Sequence, residues 1–580
     1  MTLLPFKTVA WRVGLLSSIS MALSLGIYYS ILHRFTNNKF VSFLTTFVIG
    51  FSYLIWLYAI VAEVFAVHVL LIVSILWLLI RLNETQQLKY LSLAIFLFGV
   101  SLSHHHTIVL LIPGFIFFIW KNVQKFKFKQ VLLLKWSGLF LLGLVPYVYV
   151  FWAALSTPFV QWEDVLSLTG FIRLITRAVY GSFQANSGFG LHPVDRNFQI
   201  LFFFETLYID FTKLGILLSI LGAIYLFFKH RILFWQIGVF FIFSGPLFAY
   251  YAAFPLSNDF FMATSERFII IPILFIGAYL AYGMIMISNV LDSIMTRIIN
   301  KKYAFSAAIF ILYPGVLFFT NFNKLAPLRE DLTAERFGID VLNTVEDNGV
   351  IILHSDSPIF NTEYVYLTSG GKAGNRNIKL LMTPLIGQTH YEKILEKYFP
   401  ELLTDKSPEQ KTDQRKFILH TGEKFPVYSD IAFSISDEFD WVPYGFLFRL
   451  TKKSEIENLD IESYIAKNIN LFSKYQNPKQ GIMNTHNLVF ITHLGTYYSG
   501  GRRDVGRFLL QKGQYAIAET YFRESIEFND RDKATWNFLI KARLVQNKCP
   551  ETKSNLDESQ IKFPDDAEIL QLYSYYYQFC

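Results

Sequence analysis

Long apolar stretches constrain the fold of this chain more than any other feature. They recur from Val9 to Asn321, and most approach the roughly 20 residues needed to cross a hydrocarbon core about 30 Å thick. Inside a bilayer every backbone N–H and C=O must find a partner within the chain, so such stretches have to be helices. Charged residues make up 17% of the 580 residues and become frequent only after Asn323. The sequence therefore predicts an α-helical polytopic membrane domain followed by a water-soluble part.

Hydropathy predicts about ten spans and three domains. The domains are a transmembrane bundle over 1–322, a small soluble α/β domain over 323–480 and a helical region over 481–580. The spans 90–104 and 106–120 are short for a crossing, so a hairpin that dips into the membrane is the alternative there. The predicted spans are 9–32, 40–60, 63–81, 90–104, 106–120, 131–154, 211–228, 233–253, 267–290 and 304–321.

Lysine and arginine residues in the short loops indicate the orientation, because they mark the cytoplasmic side. Every second loop carries them, whereas the loops near Glu63, near His105 and at 254–266 carry almost none. The N-terminus and the C-terminal module are therefore predicted to lie outside the cytoplasm, in a bacterial inner membrane rather than the endoplasmic reticulum. The net charge of +7 forms no stripe, which argues against nucleic acid as a partner. Two cysteines, Cys549 and Cys580, leave the redox compartment open.

Polar groups at the predicted outward face are candidates for chemistry, since ionisable residues at membrane depth are costly. Glu63 lies between two apolar runs, where it could hold a metal, a phosphate-bound cation or a sugar hydroxyl, or serve as a solvated turn residue. His104, His105 and His106 could ligate a metal or bind an anionic head group. Consecutive residues do not share a helix face, so at most two of the three can converge, and a polar hinge is the alternative.

The outward segment 155–210 adds Trp162 and an expected amphipathic helix from Leu166 to Tyr180. Arg173 and Arg177, one turn apart on that helix, could clamp a lipid phosphate or simply rest on anionic head groups. A last outward loop ends in Glu266-Arg267, which could belong to the same site or only cap the next helix.

An ordered series of short motifs resembles a known family. It covers roughly residues 9–380 and resembles polytopic membrane proteins of the DUF2723 type, whose animal member is a protein O-mannosyltransferase of the endoplasmic reticulum. The motifs are Trp11-Arg12 to Ser17, Ala62-Glu63-Val64-Phe65, His105-His106-Thr107, Pro146-Tyr147, Trp162, Arg177 to Gly181, Glu266-Arg267-Phe268 and Ala334 to Gly371.

The resemblance implies a GT-C type glycosyltransferase that works on the outward face. Its donor would be a polyprenyl-phosphate sugar, mannose-like, and its acceptor a protein or a glycan; a divalent metal ion is an open possibility. Glu63 is the tentative catalytic residue. The residues expected to bind substrate are His105, His106, Trp162, Arg173, Arg177, Tyr180, Glu266 and Arg267.

The sequence departs from the family's pattern near its start. The family has a first span and an outward loop with an Asp-x-Gly-Glu-like motif ahead of the Trp-Arg element, and only ten residues precede Trp11 here. We therefore expect the principal acid to come from a further segment upstream, and the chain as written to have little transferase activity.

The C-terminal part combines an α/β pattern with a helical repeat. Strands are predicted at Val350–His354, Phe417–His420 and Phe446–Leu450, with helices near 334–345 and 391–398. Ser355-Asp356-Ser357, directly after the first strand, could bind a ligand or form an ordinary turn. From about residue 499 a period of 34 is typical of tetratricopeptide repeats, with Gly513, Tyr515, Ala518 and Phe522 in one repeat and Trp536, Leu539 and Pro564 in the next. A non-catalytic membrane scaffold that presents this region to a protein partner is thus the alternative to an enzyme.

Overall fold

The computed structural model divides the chain into two compact units. Unit 1 comprises Met1–Ser156 and Val165–Ala326, and unit 2 comprises Thr157–Asp164 and Pro327–Cys580. The residues that the structure describes are 5, 7–123, 130–178, 181, 196–256, 259–299, 306–370, 376–476 and 489–580.

Unit 1 is built from helices, as the apolar stretches predict. Short 3-10 turns at His106–Leu111 and Arg267–Ile269 join some of them. The helices are α1 (Val9–Thr36), α2 (Lys39–Gly50), α3 (Tyr53–Ile60), α4 (Phe65–Thr85), α5 (Leu88–His104), α6 (Ile112–Val123), α7 (Gln130–Gly143), α8 (Pro146–Ala154), α9 (Leu168–Thr176), α10 (Arg196–Lys229), α11 (Arg231–Ser244), α12 (Pro246–Ala252), α13 (Asp259–Glu266), α14 (Ile270–Ile299) and α15 (Leu312–Leu325).

Seven helices in the described part of the chain are long and apolar enough to cross a membrane. The bent pair α2 and α3 gives an eighth if it is one span, and Leu88–His104 and His106–Trp120 are apolar but shorter. The chain is thus a multi-pass membrane protein, and the predicted number of about ten spans is not confirmed. The seven are Val9–Thr36, Phe65–Thr85, Val131–Ala154, Arg196–Lys229, Arg231–Ala252, Phe261–Ile294 and Ala308–Thr344.

The span predicted over 40–60 is bent, because the helix axis turns by 65° between α2 and α3. Breaking a helix frees backbone groups that must find other partners in an apolar setting. Asn321 donates its side-chain amide to the carbonyl of Phe51 at 2.8 Å, and Asp210 accepts from the backbone N–H of Leu54 at 3.1 Å. Both partners lie far along the chain, so hydropathy could not show the bend.

Helix α14 is the centre of unit 1. It packs against α1, α2, α10 and α11, and 89% of the residues in its most apolar part are buried. Where α14 crosses α10, Gly222 and Gly283 face the opposite backbone at close range. A Cβ on Gly222 would lie 1.8 Å from the carbonyl oxygen of Tyr279, so only glycine permits this approach.

Unit 2 contains a five-stranded mixed sheet. Its strands are β1 (Val350–Leu353), β2 (Lys379–Met382), β3 (Val427–Ser429), β4 (Phe439–Tyr444) and β5 (Leu447–Lys452), in the order β2-β1-β3-β5-β4. β1 is parallel to both of its neighbours, and β5 is antiparallel to β3 and β4. β1, β2 and β3 are completely buried, as expected for strands with helices on both faces.

Helices surround this sheet. They are α16 (Thr333–Thr344), α17 (Asp356–Thr368), α18 (Thr389–Tyr398), α19 (Pro408–Thr412), α20 (Gln414–Gly422), α21 (Lys453–Glu457) and α22 (Ile461–Lys474). The strand predicted at Phe417–His420 is wrong, since these residues belong to α20. Asp413 caps that helix by accepting from the N–H of Lys416, and Phe417, Ile418 and Thr421 form a buried helical stripe.

Five further helices, joined by short turns, complete unit 2. They are α23 (Val489–Gln511), α24 (Tyr515–Phe528), α25 (Lys533–Val545), α26 (Cys549–Lys562) and α27 (Ala567–Phe579). Gly506 makes room for the ring of Phe522, since a Cβ there would lie 2.7 Å from it. A disulfide between Cys549 and Cys580 ties the start of α26 to the end of α27. The assignment to tetratricopeptide repeats stays a prediction.

The segment Thr157–Asp164, which the sequence placed in the membrane domain, belongs to unit 2. Phe159 packs against Tyr366 and Tyr398 with ring centroids 5.6 and 5.3 Å apart. His390 is hydrogen-bonded through Nε2 to the carbonyl of Gln161 at 3.1 Å. A loop between α8 and α9 therefore supplies part of the core of unit 2.

Candidate functional site

An ion pair between residues 204 positions apart marks one end of unit 1. Glu63 follows α3, and Arg267 opens the 3-10 turn that leads into α14. The Nη1 group of Arg267 donates to Oε1 of Glu63 at 3.0 Å, and its Nε donates to the carbonyl of Thr264. The side chains are 22% and 29% exposed, so the pair is neither buried nor fully solvated. Two predicted site residues are thereby brought together.

The three histidines of the turn after α5 take different partners. His104 contacts the carbonyl of Val64 at 3.0 Å, whereas His105 contacts the hydroxyl of Thr107 at 2.7 Å. That hydroxyl is also 3.1 Å from Nε2 of His68. His106 faces the hydroxyl of Tyr147 at 3.1 Å. The three imidazoles therefore have separate hydrogen-bond partners, although the rings of His104 and His105 both lie beside His68 on α4.

Aromatic rings join the histidine turn to the ion pair. Phe65 lies 5.1 Å from the ring of His105 and 5.4 Å from the ring of Phe268, the neighbour of Arg267. His105 is also within electrostatic reach of both Arg177 and Arg267. Glu63, His104, His105, His106, Arg177 and Arg267 thus form one cluster, which we call the polar end of unit 1.

Arg177 joins this cluster in a way that the sequence did not predict. Helix α9 is only nine residues long and ends at Arg177, whose backbone is left-handed with φ 51°. A non-glycine residue pays roughly 1–2 kcal/mol for that conformation. The helix predicted from Leu166 to Tyr180 is therefore shorter than expected, and the clamp of Arg173 and Arg177 on a lipid phosphate stays a prediction. Arg173 is exposed in the last turn, while Arg177 is half-buried and acts electrostatically on His105, His106 and Tyr147.

Two other predicted site residues lie elsewhere. Trp162 belongs to unit 2, where its ring lies 5.6 Å from that of Phe360 of α17. Tyr180 lies outside the described residues.

Asp210 is a residue that the sequence reasoning missed. It is 3% exposed within α10, two residues before the break at Thr212, and one of its carboxylate oxygens has no hydrogen-bond partner. Glu266 interacts electrostatically with both Asp210 and Arg267. A carboxylate at the edge of an apolar stretch could have identified Asp210 as a candidate, because ionisable groups are costly at membrane depth. It was missed because the predicted span began at residue 211.

Next to Arg267 a small pocket lies between α10, α12 and the 3-10 turn Arg267–Ile269. Its wall is mostly aromatic, with Phe202, Phe248, Phe254 and Phe268, and Gln199 and Ser265 add polar groups. No group of three or more His, Cys, Asp or Glu side chains among the described residues is placed to hold a metal ion.

Comparison with known proteins agrees with the resemblance in part. Residues 1–127 match the family model of the "Protein O-mannosyl-transferase TMEM260 N-terminal domain". Curated relatives named protein O-mannosyl-transferase TMEM260 are 26% identical over 389 residues in Mus musculus, and equally so in Dictyostelium discoideum. The alignments cover 64% and 60% of this chain but 53% and 46% of the relatives, so the chain spans about half of their length.

These matches support an O-mannosyltransferase-like family without singling out the DUF2723 type. Glu63 and the three histidines lie inside the segment that matches the family model, and Arg177 and Arg267 lie beyond it. Both named relatives come from eukaryotes, so they give no support to the predicted bacterial inner membrane.

Proposed function

We propose that this chain is a membrane glycosyltransferase that moves a mannose-like sugar from a polyprenyl-phosphate donor to a protein or glycan acceptor. The observation that carries the proposal is the convergence of Arg177 and Arg267 with Glu63 at one end of a membrane bundle. The names of the relatives favour an enzyme over the non-catalytic scaffold.

The role proposed for the two arginines is to stabilise the phosphate leaving group. When the bond between the sugar's anomeric carbon and the phosphate oxygen breaks, negative charge develops on the phosphate. Guanidinium groups bind phosphate through charge-assisted hydrogen bonds, and fixed cations stabilise charge that develops in the transition state. Arg177 and Arg267 supply this charge from two different segments, and the strained backbone of Arg177 is consistent with a held position.

Glu63 has two roles in the proposal. Its carboxylate orients Arg267, and with 29% exposure it is within reach of an acceptor hydroxyl whose proton must be removed. The proposal also includes a divalent metal ion, and no residue is assigned as its ligand.

The donor is the first thing to test. The chain in nanodiscs is expected to bind polyprenyl-phosphate mannose saturably. Arg177→Ala should weaken donor binding about tenfold to a hundredfold, since a charge-assisted hydrogen bond contributes about 1.5–3 kcal/mol. Arg196→Ala is the matched control, because Arg196 lies in the same unit but packs on Tyr250. Equal losses in both variants, or no saturable binding by the chain, would contradict the proposal.

We also propose that unit 2 lies outside the cytoplasm. Thr157–Asp164 and Pro327–Cys580 share one compact unit, so both lie on one side and an even number of crossings separates them. The Cys549–Cys580 bond supports the outside position, since stable disulfides form in oxidising compartments.

Cysteine labelling tests this orientation. In a background where Cys549 and Cys580 are serine, a membrane-impermeant maleimide is expected to label Lys393→Cys in sealed cells and to leave Lys89→Cys unlabelled until permeabilisation. Both positions are exposed, and they lie in unit 2 and in a predicted cytoplasmic loop. The reverse pattern would place unit 2 in the cytoplasm.

A further inference from the structure

The strand order in the sheet of unit 2 reverses between β1 and β3, and we call the carboxyl edge at this point the crevice. The chain passes from β1 to β2 on one side of β1 and then returns to β3 on the other side. Ligands of α/β sheets bind outside the strand ends at such a point, where the direction of the strand order reverses. The residues that follow β1 and β3 here are His354 and Asp430.

Asp430 orients the imidazole of His354. Its Oδ1 accepts from the backbone N–H of His354 at 2.8 Å and from the ring Nδ1 at 3.0 Å, and its Oδ2 accepts from the N–H of Ser355 at 3.1 Å. A carboxylate only accepts, so Nδ1 donates the hydrogen bond and Nε2 is directed away from Asp430. The carboxylate is 1% exposed and the imidazole 17%, so a buried anion holds a partly accessible ring.

Helices α17 and α23 supply a second wall. Ser357, in the first turn of α17, contacts Nδ1 of His493 at 3.1 Å. His493 packs on Tyr497, whose hydroxyl is hydrogen-bonded to Ser355. Burial raises the pKa of the Tyr497 phenol to about 12, so it keeps its proton at neutral pH.

An aromatic ring lies directly beside the dyad. Phe433 is half-buried, and its ring lies 5.2 Å from His354 in an edge-on arrangement. The indole N–H of Trp441 donates to the carbonyl of Phe433 at 2.9 Å, which holds the loop in place. The crevice thus combines an apolar ring face with hydroxyls, imidazoles and carboxylates.

We propose that this crevice is a second ligand site and that it binds a saccharide, separately from the transfer reaction. Nε2 of His354 forms a hydrogen bond with a sugar hydroxyl, Ser357 offers a further polar contact, and Phe433 covers a C–H face of the sugar ring. The carboxylates of Asp356 and Asp430 disfavour an anion, so a neutral, hydroxyl-rich ligand fits this chemistry better than a phosphate.

Saturation-transfer NMR on the full chain in detergent tests the site without any lipid donor. Methyl α-mannoside and methyl β-glucoside are the probes, and inorganic phosphate is the competitor. At least one glycoside is expected to give a saturable signal that phosphate does not displace. His354→Ala should weaken binding at least tenfold, whereas Asp437→Ala, exposed in the same loop as Phe433, should leave it unchanged.

A second variant guards against simple unfolding. Phe433→Leu keeps an apolar side chain but removes the ring face, so it should weaken glycoside binding while the thermal unfolding of the protein is preserved. Absence of a saturable glycoside signal, retention of binding in both variants, or displacement by phosphate would each overturn the proposal.

Discussion

Gly222→Ala is expected to prevent unit 1 from folding. The added Cβ would lie 1.8 Å from the carbonyl oxygen of Tyr279 and 2.6 Å from the backbone nitrogen of Gly283. Both atoms belong to the backbone of α14, the most buried helix, so they cannot turn aside as a side chain does. Separating α10 from α14 would remove the tightest crossing in the unit, and we expect a loss above about 4–5 kcal/mol.

Gly26→Ala is the matched control for this change. Gly26 lies inside α1 with nothing within 4 Å of its ideal Cβ. Alanine is the better helix former by about 1 kcal/mol, so this variant should be neutral or slightly stabilising. Size-exclusion profiles and limited proteolysis in detergent report both outcomes. A Gly222→Ala protein as monodisperse and protease-resistant as the wild type would contradict the close crossing.

In a complete homologous enzyme, the change that matches Arg267→Ala is expected to reduce sugar transfer about tenfold to a hundredfold while reducing stability little. The ion pair with Glu63 is partly exposed, and such pairs contribute only about 0–1 kcal/mol to folding. A charge-assisted hydrogen bond to a phosphate contributes about 1.5–3 kcal/mol, which corresponds to the loss in transfer. Glu63→Gln should act in the same direction, because it releases Arg267 and removes a proton acceptor.

The chain offers a matched ion pair for comparison. Arg34 and Glu84 lie at the opposite end of α1, are 2.7 Å apart, and have exposures of 29% and 37%. Arg34→Ala should therefore have the same small effect on stability and none on transfer. The proposed role of Arg267 fails if Arg34→Ala lowers transfer equally, or if the reversed pair Glu63→Arg with Arg267→Glu transfers sugar as well as the wild type.

The sequence by itself determined that this is a multi-pass membrane protein. In lipid, a long apolar stretch can pair all its backbone N–H and C=O groups within itself only as a helix. It also located Glu63, the histidine turn and Arg267, since charged and polar groups are rare within such a background. The strand Val350–Leu353 and the helix Thr389–Tyr398 follow from local pattern in the same way.

The tertiary structure decided everything that depends on partners distant in sequence. The backbone groups at the bend between α2 and α3 are hydrogen-bonded to Asn321 and Asp210, which lie far along the chain. Arg177 takes its position because α9 ends there, and the local sequence did not predict that end. The loop at 157–164 joins unit 2 through contacts such as those of Gln161 with His390 and of Thr157 with Lys397, which are more than two hundred positions apart. Hydropathy and periodicity show whether a segment prefers lipid, protein interior or water. The bend, the position of Arg177 and the placement of the loop depend instead on which distant segments contact each other, and only the folded structure shows those contacts.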